Sequence, residues 1–202
     1  MFEYEESELR QWFLGFPRGD QLWREAVDGA VIAREIARRA GEDEALARLA
    51  FLARDVGKVF WPDWLFERRV DDRALLYGHV TVGVRTLEGM PAFAAMPRLL
   101  RVVQQHHERW DGRGYPFGLA GPEADRLAHV VAVADAVAAM TRGRPWAPPV
   151  SLERAAEVVA AEAGRQFHPD AGAWVRDLVR GPGPIQRAAG RGETLRRLPS
   201  QL

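Results

Sequence analysis

The stretch HHERWDGRGYP, residues 106 to 116, decides how this chain is read. Two adjacent histidines close a helical pattern that begins near Ala92, and a run rich in glycine and proline follows at once. Neighbouring residues on a regular helix point about 100° apart, so His106 and His107 share one site only if the helix unwinds there. The loop beginning at Glu108 offers that break, and Glu108 and Asp111 are potential hydrogen-bond partners for the two rings. The competing reading is a solvated histidine pair.

Outward from this loop the pattern is helical throughout, with no alternating strand signal. Glu5 to Phe13 reads as a short helix, and Asp20 to Ala40 as a longer one with an apolar stripe at Leu22, Ala26, Ala30, Ala33 and Ile36 or Ala37. Gly41 stops it. Asp43 or Glu44 opens a third helix, expected to run to Lys58. Further helices are expected over 72–87, 92–106, 123–140, 151–164 and 169–179. The expectation is all-α: one helical bundle carrying a long Gly/Pro loop. Residues 1–18 form a short helical extension, 19–179 the domain, and 180–202 a Gly/Pro/Arg-rich tail in which Leu195 and Leu198 are possible anchors.

The 202 residues suffice for one domain with a real core, and 47% apolar with 28% charged content is that of an ordinary globular protein. Formal net charge is zero, which argues against a nucleic-acid polymer or an anionic membrane as partner. No apolar run is long enough to span a bilayer, and the acidic N-terminus lacks the basic start of a secretory signal. The absence of cysteine excludes thiolate metal sites and fits a cytoplasmic location.

Two carboxylates stand out. Asp135 lies inside VVAVADAVAAM and Asp55 inside LARLAFLARDVGKVF, each an acid in a run that faces a core. Unpaired burial of either costs several kcal/mol, roughly, so each needs a cation, a metal or a polar groove. Beside Asp55 stand Arg54 and Lys58, and Lys58 is the only lysine in a chain whose other basic residues are all arginine. Arg54 and Lys58 are expected on one helix face.

Taken together, RDVGKVFWP, GHVTVG, HHERWDGRGYPFGLAG, VAVADAVAAMT, RPW and GRQFHP resemble the HD-GYP domain in order and approximate spacing, from Gln21 to Leu178. HD-GYP domains are an all-helical branch of the HD metal-dependent phosphohydrolases, and their usual activity is hydrolysis of cyclic di-GMP. The resemblance implies Asp55 as a bridging metal ligand and catalytic residue, and Lys58 as a contact to a substrate phosphate. It also implies His79, His106 and His107 as ligands of one metal, Asp135 as ligand of its neighbour, and Glu25 where the family has a ligating histidine. The segment Asp111, Gly112, Arg113, Gly114, Tyr115 and Pro116 resembles the loop that borders the substrate and binds diguanylate cyclase domains. Iron or manganese is the implied metal, ahead of zinc, with one or two ions.

The chain also departs from the family. Arg54 replaces the histidine of the HD pair, and guanidinium has no lone pair with which to ligate a metal. Ala138, Tyr77, His129 and His168 are further substitutions at family positions. Arg54 is expected to occupy the first-metal position as a fixed cation paired with Glu25 and Asp135; the alternative is an Arg54 turned to solvent. Three functions stay open: a phosphodiesterase acting on cyclic di-GMP with a reduced metal site, a degenerate domain that binds cyclic di-GMP, another nucleotide or one metal without turnover, and an interaction module that contacts a signalling partner through the GYP loop.

Overall fold

The computed structural model describes residues 2–67 and 73–180. Among these the regular structure is helical: α1 (Glu3–Leu14), α2 (Gly19–Ala40), α3 (Glu44–Ala53), α4 (Trp64–Glu67), α5 (Arg73–Glu88), α6 (Pro91–Ala94), α7 (Pro97–Gln105), α8 (Arg126–Arg142), α9 (Leu152–Ala161) and α10 (Ala171–Arg180). Short 3-10 turns span Val56–Phe60 and Gly121–Glu123. Extended pairing among the described residues is limited to isolated bridges. No helix among them is long and apolar enough to cross a membrane.

The apolar stripe of α2 is buried as its spacing predicts, and it packs against α3 and α8. α3 starts where Asp43 accepts hydrogen bonds from the amides of Ala45 and Leu46, both at 2.9 Å, satisfying two otherwise orphaned donors. α8 carries Val130, Val131, Val133, Ala134 and Val137 at full burial, so it forms the central column of the bundle. α9 and α10 pack on each other and reach α8 and α2 respectively. α1 sends Leu9 and Phe13 into the same core.

Two expected helices are shorter than their periodicity suggests. The helix expected over 92–106 is divided, because Pro97 lacks the amide that would continue the preceding turn and instead opens α7. The helix expected to reach Lys58 ends at Ala53. Arg54 and Lys58 therefore do not share a helix face. The tail over 181–202, with Leu195 and Leu198, lies outside the described residues.

Candidate metal centre

The early end of α3 builds the centre. Asp55 leaves helical geometry (φ −106°, ψ 14°) and caps the 3-10 turn that follows. In a 3-10 turn positions i and i+3 eclipse, so Lys58 returns beneath Asp55, its Nζ 2.8 Å from Oδ1. Gly57 is required here: a Cβ on it would lie 2.0 Å from the carbonyl oxygen of His79. The bare backbone lets the turn sit directly on α5, which brings the His79 ring opposite Asp55.

α7 stops at Gln105, and His106 and His107 occupy the unwinding turn with ring centroids 4.0 Å apart. The His79 ring lies 5.8 Å from His106 and 5.1 Å from His107. Asp55, His79, His106 and His107 each offer one ligand atom, and these atoms lie within 4.8 Å of one another. The tautomers follow from the backbone. Nδ1 of His106 is 2.6 Å from the carbonyl of Val103, and Nδ1 of His79 faces that of Leu76. A carbonyl only accepts, so each Nδ1 holds the proton and each Nε2 presents a lone pair.

Both Nε2 atoms and Asp55 Oδ1 are buried without a hydrogen-bond partner. They face each other, with Oδ1 3.5 Å from His79 Nε2 and 4.0 Å from His106 Nε2. Lys58 comes within ion-pair range of Oδ1 without hydrogen-bond geometry. An orphaned buried polar atom costs about 1–3 kcal/mol, and three converging on one point are satisfied together by a cation. The donor set, imidazole nitrogens with one carboxylate, fits a divalent transition metal. Burial keeps the imidazoles neutral and ready to ligate: desolvation, then Lys58, pushes His79 down to about 3, and desolvation pushes His106 and His107 down as well. Burial alone would raise Asp55, but Arg54 and Lys58 hold its carboxyl well below the usual range.

On the opposite side of Asp55 lies Arg54, whose side chain is only 4% exposed. Its Nε donates to Asp135 Oδ1 at 2.9 Å, and its Nη2 lies 2.8 Å from that oxygen and 3.2 Å from Asp55 Oδ2. Nη1 donates to the carbonyl of Phe51 at 2.7 Å, and the guanidinium sits over the Phe51 ring. The expected pair with Asp135 forms. The expected pair with Glu25 does not: Glu25 is 3.3 Å from Arg142 and accepts from Gln21 at 3.0 Å. Arg54 makes its contacts from the C-terminus of α3 toward α8, while Arg142, in the last turn of α8, takes the acid of α2. Glu25 and Asp135 both lie outside the four-residue cluster.

The Gly-rich loop is held from inside. Glu108 is 2% exposed and accepts from the amides of Phe117 (2.7 Å) and Leu119 (3.1 Å). Asp111 takes a two-armed bond from Arg109 and one from the amide of Arg113, and the Arg109 contact draws its pKa down to about 2. Neither acid orients the histidines, contrary to the expectation from sequence; the rings are set by backbone carbonyls instead. Gly114 passes so close to Glu108 and Arg109 that a Cβ would meet their backbone within 2.5 Å. Beyond it, ahead of Pro116, Tyr115 stacks between His107 (4.6 Å) and Tyr77 (4.2 Å). Tyr77 is thus the outer leaf of a three-ring stack ending on a candidate ligand. His129 and His168, two further departures, both pack on Trp110 and away from the centre.

Two cavities meet at this stack. One of about 430 Å³ is lined by His106, Arg109, Arg113, Tyr115 and Asp135, among others. The other, about 590 Å³, is lined by Lys58, Trp61, His79, Tyr115, Arg144 and Trp146, among others. Asp135, His107 and Arg144 border both. Sequence reasoning did not single out Glu108 as the loop's anchor, nor Trp61 and Trp146 as cavity walls. Nothing in a string of residues marks a loop acid as folding inward.

Residues 19–171 match the HD domain family, and the chain belongs to that family. It is 30% identical over 171 residues to a cyclic di-GMP phosphodiesterase response regulator of Xanthomonas campestris, covering 81% of this chain and 44% of that protein. It is 33% identical over 123 residues to a 3'3'-cGAMP-specific phosphodiesterase of Vibrio cholerae, covering 57% of this chain and 23% of that one. The chain therefore spans less than half the length of these curated relatives. A solved HDG"Y"P protein of Bdellovibrio bacteriovorus superposes with a TM-score of 0.64 at 20% identity, over 82% of this chain and 55% of that one.

Proposed function

We propose that this chain is an HD-GYP-type phosphodiesterase domain that takes a cyclic dinucleotide, cyclic di-GMP first among them, at a mononuclear metal centre. The observation carrying this reading is the convergence of Asp55 Oδ1, His79 Nε2 and His106 Nε2 as orphaned buried atoms, with Arg54 locked on the far side of the same carboxylate. Asp55, His79, His106 and His107 hold the ion, iron or manganese. Bound there, the ion supplies Lewis acidity and a lowered pKa for its water.

The protein's own residues do the rest. Lys58 and Arg144 line the larger cavity and attract the phosphates. Arg54 contributes a fixed positive charge where related domains use a second ligand set, and it neutralises Asp135 without admitting an ion. Tyr115 and Tyr77 hold the His107 ring in place by stacking.

Arg54 also favours a second reading, binding without turnover. With Asp55 Oδ2 and Asp135 Oδ1 both committed to the guanidinium, the ligands for a second metal are taken. Turnover of cyclic di-GMP with added Mn²⁺ or Fe²⁺, wild type against Asp55→Ala, separates the two. Hydrolysis lost in Asp55→Ala supports the first; tight binding with no hydrolysis selects the second. Anomalous scattering that finds two ions within ~4 Å of each other beside Asp55 would overturn the mononuclear centre.

A further inference from the structure

The larger cavity has a feature that the metal centre leaves unexplained. Trp146 stands at the tip of a tight turn, 40% exposed, on the wall of the cavity that also receives Lys58, His79 and Arg144. The turn is rigidly closed. The Arg144 amide donates to the Ala147 carbonyl at 2.8 Å, and the Ala147 amide donates back to the Arg144 carbonyl at 2.9 Å. The loop beyond is tied to α8 where the Val150 amide donates to the Met140 carbonyl at 3.0 Å. An exposed indole held by a stiff turn is a flat apolar surface with little conformational entropy left to lose on binding.

Its surroundings are those of a nucleotide site. The Arg144 guanidinium lies 5.8 Å from the Trp146 ring, and Lys58 lies 5.3 Å from the ring of Trp61 across the same cavity. Each cation is thus placed beside an aromatic face, phosphate-attracting charge next to base-stacking surface. Trp61 is already engaged edge-on by His79 and packed on Phe66. Trp146 is the more open of the two.

The cavity wall also lacks the neutral amide and aliphatic hydroxyl side chains that commonly read a base edge. Among the described lining residues there is no Asn, Gln, Ser or Thr. Asp135 Oδ1 is committed to Arg54, and the rest of the described wall is Leu65, Leu76, His107, Tyr115 and Ala147. Stacking distinguishes large bases from small ones and is otherwise tolerant of base identity.

We infer that Trp146 is the stacking platform for a purine base of the bound cyclic dinucleotide, and that it accepts guanine and adenine alike. This rests on the cyclic dinucleotide reading above and names the residue that selects the base class.

The test is isothermal titration of the full chain, loaded with Mn²⁺, with cyclic di-GMP and with cyclic di-AMP. Trp146→Ala is expected to weaken both ligands by about tenfold and to a similar extent, and Trp146→Phe to retain most of the affinity. Mn²⁺ titration of each variant checks that the centre is intact. Unchanged affinity in Trp146→Ala, or a loss confined to one base, overturns the platform while leaving cyclic dinucleotide binding in place. Wild type that takes up Mn²⁺ but binds neither ligand overturns the parent reading, and the platform with it.

Discussion

Arg54 and Asp135, 81 positions apart in the chain, are joined by two contacts of 2.9 and 2.8 Å onto one carboxylate oxygen. Burial works against the guanidinium's charge, yet Asp55 and Asp135 together raise its pKa. The same burial would raise Asp135, but Arg54 holds it below the ordinary value. A fixed organic cation satisfies two acids on different helices, α8 and the turn after α3. Removing it leaves both acids facing each other. Arg54→Ala is expected to destabilise the fold by about 3–5 kcal/mol, the range for breaking a buried ion pair from one side. Urea unfolding with added chelator measures it, and a loss below about 1 kcal/mol would show the pair to be solvent-screened.

Arg54→His is the gain-of-function counterpart. It removes the guanidinium from between Asp55 and Asp135 and adds an imidazole that can ligate. Metal content of the purified variant is expected to rise from one to two Mn²⁺ per chain. A stoichiometry still at one would mean that Glu25, tied to Arg142, prevents the second site from assembling.

Gly57→Ala places a methyl against the His79 carbonyl and the Gly83 amide, at 2.0 and 2.8 Å. Neither is a side chain that can swing away, so the turn and α5 must part. A destabilisation of about 1–3 kcal/mol is expected, with Mn²⁺ affinity falling because His79 retreats from Asp55. Gly78→Ala, which meets nothing within 4 Å, is the control. Equal metal affinity in the two variants would contradict the close approach.

Metal-free stability depends on pH through the buried imidazoles. His79 titrates near 6.5 unfolded and at about 3 folded, so between those values the unfolded chain binds the extra proton. Stability is therefore fully present above about 6.5 and is lost as pH falls toward 3, by about 1.4 kcal/mol per unit for each such proton. His106 and His107 act in the same direction. Urea midpoints with chelator at pH 7.5 and 5 report this, and His79→Gln is expected to flatten the slope. A pH-independent midpoint would mean that the rings are solvated.

Glu108→Ala removes the acceptor of the Phe117 and Leu119 amides. Two half-buried donors then lack a partner, costing up to about 1–3 kcal/mol each if the loop does not move. The loop is expected to loosen instead, with faster hydrogen exchange at those two amides and little change in α2 or α8. Unaltered exchange at Phe117 would remove Glu108 as the loop's anchor.

The helices were legible because their causes are local. The stripe of α2, Gly41 and Asp43 each act within one or two turns, and the chain places them to within a residue. The four clustered residues were legible through a motif, a matter of order and spacing. The premature end of α3 was not, since 44–58 has unbroken helical periodicity. What ends it is the fit of Gly57 onto α5, a contact between residues more than twenty apart.

The sequence alone thus determined an all-α bundle and, through its motifs, the four residues that gather at one point. Only the tertiary structure decided what Arg54 does. Its partners are Asp55 and Asp135 rather than Glu25, because the guanidinium reaches across from the end of α3 to the middle of α8, whereas Arg142, in the last turn of that helix, takes the acid of α2. Propensity and spacing act along the chain. Which cation meets which acid depends on where the packed helices set their side chains in space.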